Sequence, residues 1–148
     1  MRYNAPMSTS PAFDDIAENL SFLDDWEDRY RYLIELGQDL APLTDAERNA
    51  ANKVHGCASQ VWLVSEPARA GDDLTLSYRG DSDAMIVKGL IAVVLALYSG
   101  RPAKDIAATD AMAIFDELGL REHLSTQRSN GLAAMVNRIR SDAQALAA

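Results

Sequence analysis

The sequence predicts one α+β domain in which a small antiparallel sheet packs against several helices. Three observations lead there. Apolar residues recur at helical spacing over both ends of the chain, whereas around residues 54–78 the period changes to strand-like runs and alternation. Residues 83–98 are apolar on almost every side, the mark of a helix at the centre of a core. The 148 residues, 48% hydrophobic and 24% charged, are enough to bury one ordinary core.

The elements follow in order. Residues 1–12 are polar and are expected to form a flexible tail, with Met7 as an alternative start and 13–148 as the single domain. Ile16, Leu20 and Leu23 give a first amphipathic helix over 14–23. Asp24 or Asp25 caps a second helix whose apolar face carries Trp26, Tyr30, Leu33 and Leu36, with Gly37 as a left-handed stop. Thr44 and Glu47 have capping-box spacing, which predicts a further helical turn over 45–51. Residues 61–64 are a β-forming run, 66–73 with Pro67 and Gly71 a hairpin connection, and 74–78 an alternating strand. Two strands alone are marginal, so a third is expected from the Val54 region. Asp81 or Ser82 caps the central helix, which Gly100 and Pro102 close. Thr109 or Asp110 caps a shorter helix ending at Leu118 and Gly119. A last helix starts near Asn130 with Leu132, Met135, Val136 and Ile139 on its inner side.

The formal net charge of -8 repels phosphate backbones and anionic membrane surfaces, so no nucleic acid and no membrane is expected as partner. A basic protein surface would suit this charge better. Met1 to Pro11 lacks the apolar stretch of a secretory signal, and the apolar run 89–98 is too short to span a bilayer. A cytoplasmic location is expected.

There is one cysteine, Cys57, so no internal disulfide and no two-thiol redox centre can form. A lone thiol cannot hold an iron–sulfur cluster, which takes about four ligands. Cys57 follows Gly56 and precedes a strand, which places it at a loop tip or a strand mouth, and its neighbours Ala58, Ser59 and Gln60 are small or polar. The alternative is a small buried hydrophobe. His55, two residues earlier, would favour the thiolate if the backbone there is extended; otherwise it is an exposed loop histidine. His123, in the turn before the last helix, is expected to be structural or exposed. Arg128 has two readings, a partner for a carboxylate and a solvated or helix-bridging side chain. Trp62 is expected in the core. Residues 80–83 lack the lysine and spacing of a phosphate loop, two histidines and one cysteine make a metal site weak, and no nucleophile elbow is present. Lys53, Lys88 and Lys104 are available amines, but no phosphate or pyridinium contacts accompany them, so no cofactor is expected here. A stand-alone cysteine-dependent transferase or hydrolase and a non-catalytic adaptor with a merely packed Cys57 stay open.

Three blocks in order resemble the SufE family of sulfur-acceptor proteins. They are Val54-His55-Gly56-Cys57-Ala58-Ser59-Gln60-Val61-Trp62-Leu63, Gly80-Asp81-Ser82-Asp83-Ala84 with Ile86-Val87-Lys88-Gly89-Leu90, and Leu118-Gly119-Leu120 through His123-Leu124-Ser125 to Arg128-Ser129-Asn130-Gly131-Leu132. Residues 26–37 look like the family's second helix, and the resemblance spans about 13–146. It implies an α+β fold similar to the SufE and IscU-type proteins. It also implies that Cys57 accepts persulfide sulfur from a pyridoxal-phosphate-dependent cysteine desulfurase of the SufS or CsdA type. Cys57 would then be a covalent carrier and desulfurase activator rather than an enzyme, delivering sulfur to a SufBCD-type scaffold for iron–sulfur cluster assembly. Pyridoxal phosphate (PLP) stays in the partner. The related CsdE branch carries a similar block, so the desulfurase and the downstream pathway are left open, as is monomer or homodimer. Because a persulfide is vulnerable, Cys57 is expected to retreat into an apolar pocket near Trp62 and the central helix, and to swing out on docking.

Overall fold

The computed structural model describes residues 10–148. The expected tail over 1–12 lies outside the described residues up to residue 9. Residues 11 and 12 already belong to the first helix, because Ser10 caps it by accepting the Phe13 N–H at 3.2 Å and Pro11 suits the first helical position. The elements run α1 (Pro11–Ser21), α2 (Trp26–Gln38), β1 (Val61–Ala70), β2 (Asp73–Ser82), α3 (Met85–Tyr98), β3 (Arg101–Pro102), α4 (Ala103–Ala108), α5 (Ala111–Glu117) and α6 (Thr126–Ala147). The α+β expectation holds: an antiparallel sheet of order β1-β2-β3 packs against helices.

Helix α3 is the centre, with α2, α1, α6 and strand β2 packed around it. Ile86, Leu90, Ile91, Val93, Val94, Leu97 and Tyr98 are all buried. Asp25 caps α2 by accepting the Glu27 N–H at 3.0 Å. Gly37 is not the expected stop. It lies inside α2, its φ is not positive, and the helix runs on to Gln38 with Asp39 as its C-terminal cap. Its role is close approach: a Cβ on Gly37 would sit 2.6 Å from the Gly89 nitrogen, and one on Gly89 would sit 2.2 Å from the Leu33 carbonyl oxygen. Two glycines thus let α2 and α3 cross backbone to backbone. Arg29 of α2 ties together the ends of α1 and α5 by donating to the carbonyls of Leu20, Leu23 and Leu118 at 3.0, 2.8 and 2.9 Å.

The sheet is longer than its apolar pattern suggests. β1 and β2 pair from Val61 with Ser82 to Ala70 with Asp73, so residues 66–70 are strand and the turn is only Gly71 and Asp72. Pro67 escapes recognition as a strand residue but fits here. β1 is the sheet edge, and the Val61 carbonyl and Leu63 N–H point outward to the 52–54 segment, so Pro67 in the same phase lacks only an outward N–H. Gly80 to Ser82 likewise remain strand, and α3 begins at Met85 without a side-chain cap. The third strand is β3, beside β2 at Thr75 and Leu76; the Val54 region contributes one bridge, Lys53 to Trp62.

The capping box at Thr44 and Glu47 forms, with reciprocal hydrogen bonds of 3.0 and 3.2 Å, but the chain there makes turns and no helix. Glu47 also accepts from Arg79 of β2, an anchor that holds its carboxyl down at about 2. Helix α4 has no counterpart in the sequence reading. α6 starts at Thr126, earlier than expected, because Ser125 accepts the Arg128 N–H at 3.2 Å.

Candidate functional site

Cys57 lies on a short loop whose ends are clasped. The Val54 N–H donates to the Val61 carbonyl at 2.9 Å, and the Leu63 N–H donates to the Asn52 carbonyl at 2.9 Å. Gln60 and Asp83 close the far side, the Gln60 N–H donating to the Asp83 carboxylate at 3.0 Å. Gly56 turns the chain with φ 93, an angle costly for any residue with a side chain. The thiol then points inward, half-buried, and donates to the Gly131 carbonyl of α6 at 3.6 Å.

Around it is a narrow cleft lined by Val87 and Leu90 of α3 and by Gly131, Leu132 and Met135 of α6, with Gln127 and Arg128 also on its wall. The seat retains room for about one water-sized atom. Gly131 leaves bare the side of the helix that meets the sulfur; a methyl group there would stand in van der Waals contact with it, at 3.5 Å. Burial pushes the Cys57 thiol above its ordinary value, so in this position the sulfur is held as the protonated, weakly nucleophilic form.

The expected pocket is therefore present, but Trp62 does not line it. Trp62 is half-buried in β1 opposite Asp81, and the wall facing the sulfur is α6 instead. Arg128 is brought to the cleft while its backbone serves the Ser125 cap. His55 is exposed on the loop. His123 belongs elsewhere, its ring stacked on Trp26 with centroids 4.9 Å apart. The lysines do not gather: Lys88 pairs with Asp81 at 3.4 Å, Lys104 pairs with Asp73 at 3.5 Å, and Lys53 sits in the bridge. Residues 80–82 are strand, and Asp81 takes Arg48 at 3.1 Å as well as Lys88. Among the described residues no three His, Cys, Asp or Glu side chains gather as around a metal ion, and no helix is long and apolar enough to cross a membrane.

The contact of the thiol with Gly131 escapes sequence reasoning, although Leu132 and Met135 are read in advance as the inner side of this helix. A glycine inside a helical pattern usually has a packing reason, which is the available signal. Starting the helix near Asn130 hides it.

Known proteins give a consistent picture. The SufE model, described as an Fe-S metabolism associated domain, matches residues 14–143. The chain is 56% identical over 137 residues to an uncharacterized SufE-like protein of Rhizobium etli, covering 93% of each. It is 51% identical over 133 residues to another of Rhizobium meliloti, covering 90% of this chain and 95% of that one. Among solved structures, the solution structure of a hypothetical protein from Thermus thermophilus superposes with a TM-score of 0.72 at 17% identity, covering 95% of this chain and 99% of that one. At that identity the likeness is one of fold alone.

Proposed function

The chain belongs to the SufE family, and on that premise we propose that Cys57 is a covalent sulfur carrier loaded by a cysteine desulfurase. The observation that supports this reading best is the seat itself. It is an apolar cleft that shields one thiol and has room for about one further small atom, the size class of a single added sulfur.

The chemistry needs one nucleophile. The Cys57 thiolate attacks the outer sulfur of the partner's cysteine persulfide. A new sulfur–sulfur bond forms at Cys57, the partner's old one breaks, and the partner's cysteine leaves as a thiolate. One sulfur moves with its hydrogen, and the total charge is unchanged. The proton that Cys57 gives up beforehand goes to solvent or to the partner. No oxidant or reductant is consumed.

Burial in the seat opposes ionisation, so attack requires the loop to bring the sulfur outward, where the thiolate is easier to form. Between transfers the seat keeps reductants and oxidants from the loaded sulfur. In this reading the chain is an acceptor and activator of the desulfurase and no independent enzyme. It acts in the cytoplasm, carries no cofactor of its own, and hands sulfur to a SufBCD-type scaffold for cluster assembly.

Mass spectrometry after incubation with a SufS- or CsdA-type desulfurase and cysteine tests it. The chain should gain one sulfur atom at Cys57, and Cys57→Ser should gain none and lose the stimulation of the desulfurase. A wild-type chain that never gains sulfur overturns the proposal.

A further inference from the structure

Helix α6 touches the Cys57 segment along one stripe. Gly131 receives the thiol, and Ala134 stands beside Gly56, its Cβ 3.3 Å from where a Cβ of Gly56 would lie. Two turns after Gly131, Arg138 reaches the start of the same segment. Its guanidinium donates to the Ala51 carbonyl at 2.9 Å and to the Lys53 carbonyl at 3.3 Å. Asp142, one further turn along, holds the Arg138 Nε at 3.5 Å while accepting the buried Tyr78 hydroxyl of β2 at 2.7 Å. Gly131, Ala134, Arg138 and Asp142 follow helical spacing, so they share a face.

From this chain of contacts we propose that Arg138 is a positioning residue for Cys57, a strut that fixes the base of the loop on α6 and thereby seats the sulfur against Gly131. The physical reason is geometric. The backbone clasps tie the loop's ends to β1, but its attachment to α6 differs along its length: the tip has one weak sulfur hydrogen bond and apolar contact, whereas the base has charge-assisted bonds from a planar fork that spans two carbonyls. Asp142 aims that fork, and Tyr78 ties Asp142 to the sheet. Moving the base would shift the tip relative to α6, and the seat would no longer match the sulfur.

For what the sulfur receives, this inference rests on the carrier reading; the positioning itself does not. The test is therefore alkylation of Cys57 by iodoacetamide, which needs no sulfur donor. In Arg138→Ala the rate at neutral pH should rise about tenfold, equivalent to about 1.4 kcal/mol of lost seating. The pH midpoint should fall toward that of an ordinary exposed thiol. Arg128 of α6, the one charged residue lining the cleft, and His55, exposed two positions before Cys57, are untouched by the change. Arg138→Lys should return part of the way, since one ammonium can serve a single carbonyl. Arg140→Ala is the control: Arg140 donates to the Ala107 carbonyl at 3.1 Å on the α4 side, so its loss should lower the melting temperature and leave alkylation alone.

Wild-type rate and midpoint in Arg138→Ala overturn the proposal, as does equal acceleration in Arg140→Ala, which would signal general loosening. Should Arg138→Ala fail to fold, Asp142→Asn decides. It keeps an acceptor for Tyr78 and removes the charge that holds Arg138, and an unchanged alkylation rate would count against the strut. Accelerated alkylation without sulfur loading would sink only the carrier reading; normal loading with unaltered alkylation would sink only the strut.

Discussion

The sulfur of Cys57 and the carbonyl oxygen of Gly131 meet 3.6 Å apart, at a point where a Cβ on residue 131 would stand in van der Waals contact with that sulfur, 3.5 Å away. The two lie 74 positions apart in sequence. Gly131→Ala separates stability from function. Its methyl group would find ordinary contact distances of 3.5–3.8 Å, so the fold accepts it. Replacing a helical glycine by alanine is worth about 0.5–1 kcal/mol, so the melting temperature should stay level or rise by about 1–4 °C. The same methyl group takes the room beside the sulfur. The lifetime of a Cys57 persulfide against added dithiothreitol should therefore fall, read by mass spectrometry over time. An unchanged lifetime would show that the space at Gly131 is irrelevant to protection.

The pH dependence of the wild-type thiol has a defined sign. Burial raises the folded value of Cys57 above that of the unfolded chain. The stabilisation from keeping the thiol neutral is complete below the unfolded value and is lost as pH climbs through it toward the folded value. Alkylation in native buffer should thus have a midpoint above that of the same chain in denaturant. Coincident midpoints would mean that the thiol is not buried in solution.

The crossing of α2 and α3 tolerates no side chain. Gly89→Ala places a Cβ 2.2 Å from the Leu33 carbonyl oxygen, and backbone cannot rotate aside. Overpacking outweighs the gain in helix propensity, for a net loss of about 2–3 kcal/mol. Thermal melts followed by circular dichroism should show a fall of about 4–12 °C. Melting at the wild-type temperature would contradict the close crossing.

Glu47 provides a second pH test, on the acid side. Arg79, followed by the Thr44 backbone, lowers its carboxyl from 4.5 to about 2. The stabilisation is fully present above 4.5 and is lost as pH falls from there to about 2. Glu47→Gln should be less stable than wild type at neutral pH, and the gap in melting temperature should close across that acid window. A gap independent of pH would remove the charge of Glu47 from the account.

Where an element is governed by local chemistry, it is legible in advance. Asp25, Asp110 and Ser125 act as caps because a side-chain oxygen reaches a nearby backbone N–H whatever the rest of the fold does. Asp25 and Asp110 are recognisable as caps from sequence; Ser125 is missed. Gly37 misleads because a glycine after an apolar face looks the same whether it ends a helix or lets another helix approach. Residues 66–70 read as connection because Pro67 discourages a strand, and only their place on the sheet edge removes the objection. At the site, Cys57 and its loop are visible as a solitary thiol after a glycine, while the wall expected from Trp62 belongs to α6.

By itself the chain's order of residues determined an α+β domain, a buried central helix, and a lone thiol at a loop tip, because periodicity, turn residues and counts of cysteine act over a few neighbours. Tertiary structure alone decided that the thiol faces Gly131 and that Arg138 grips the loop's base. Those contacts depend on packing residues 51–57 against 131–142, and no local preference encodes which distant backbone atom a side chain will meet.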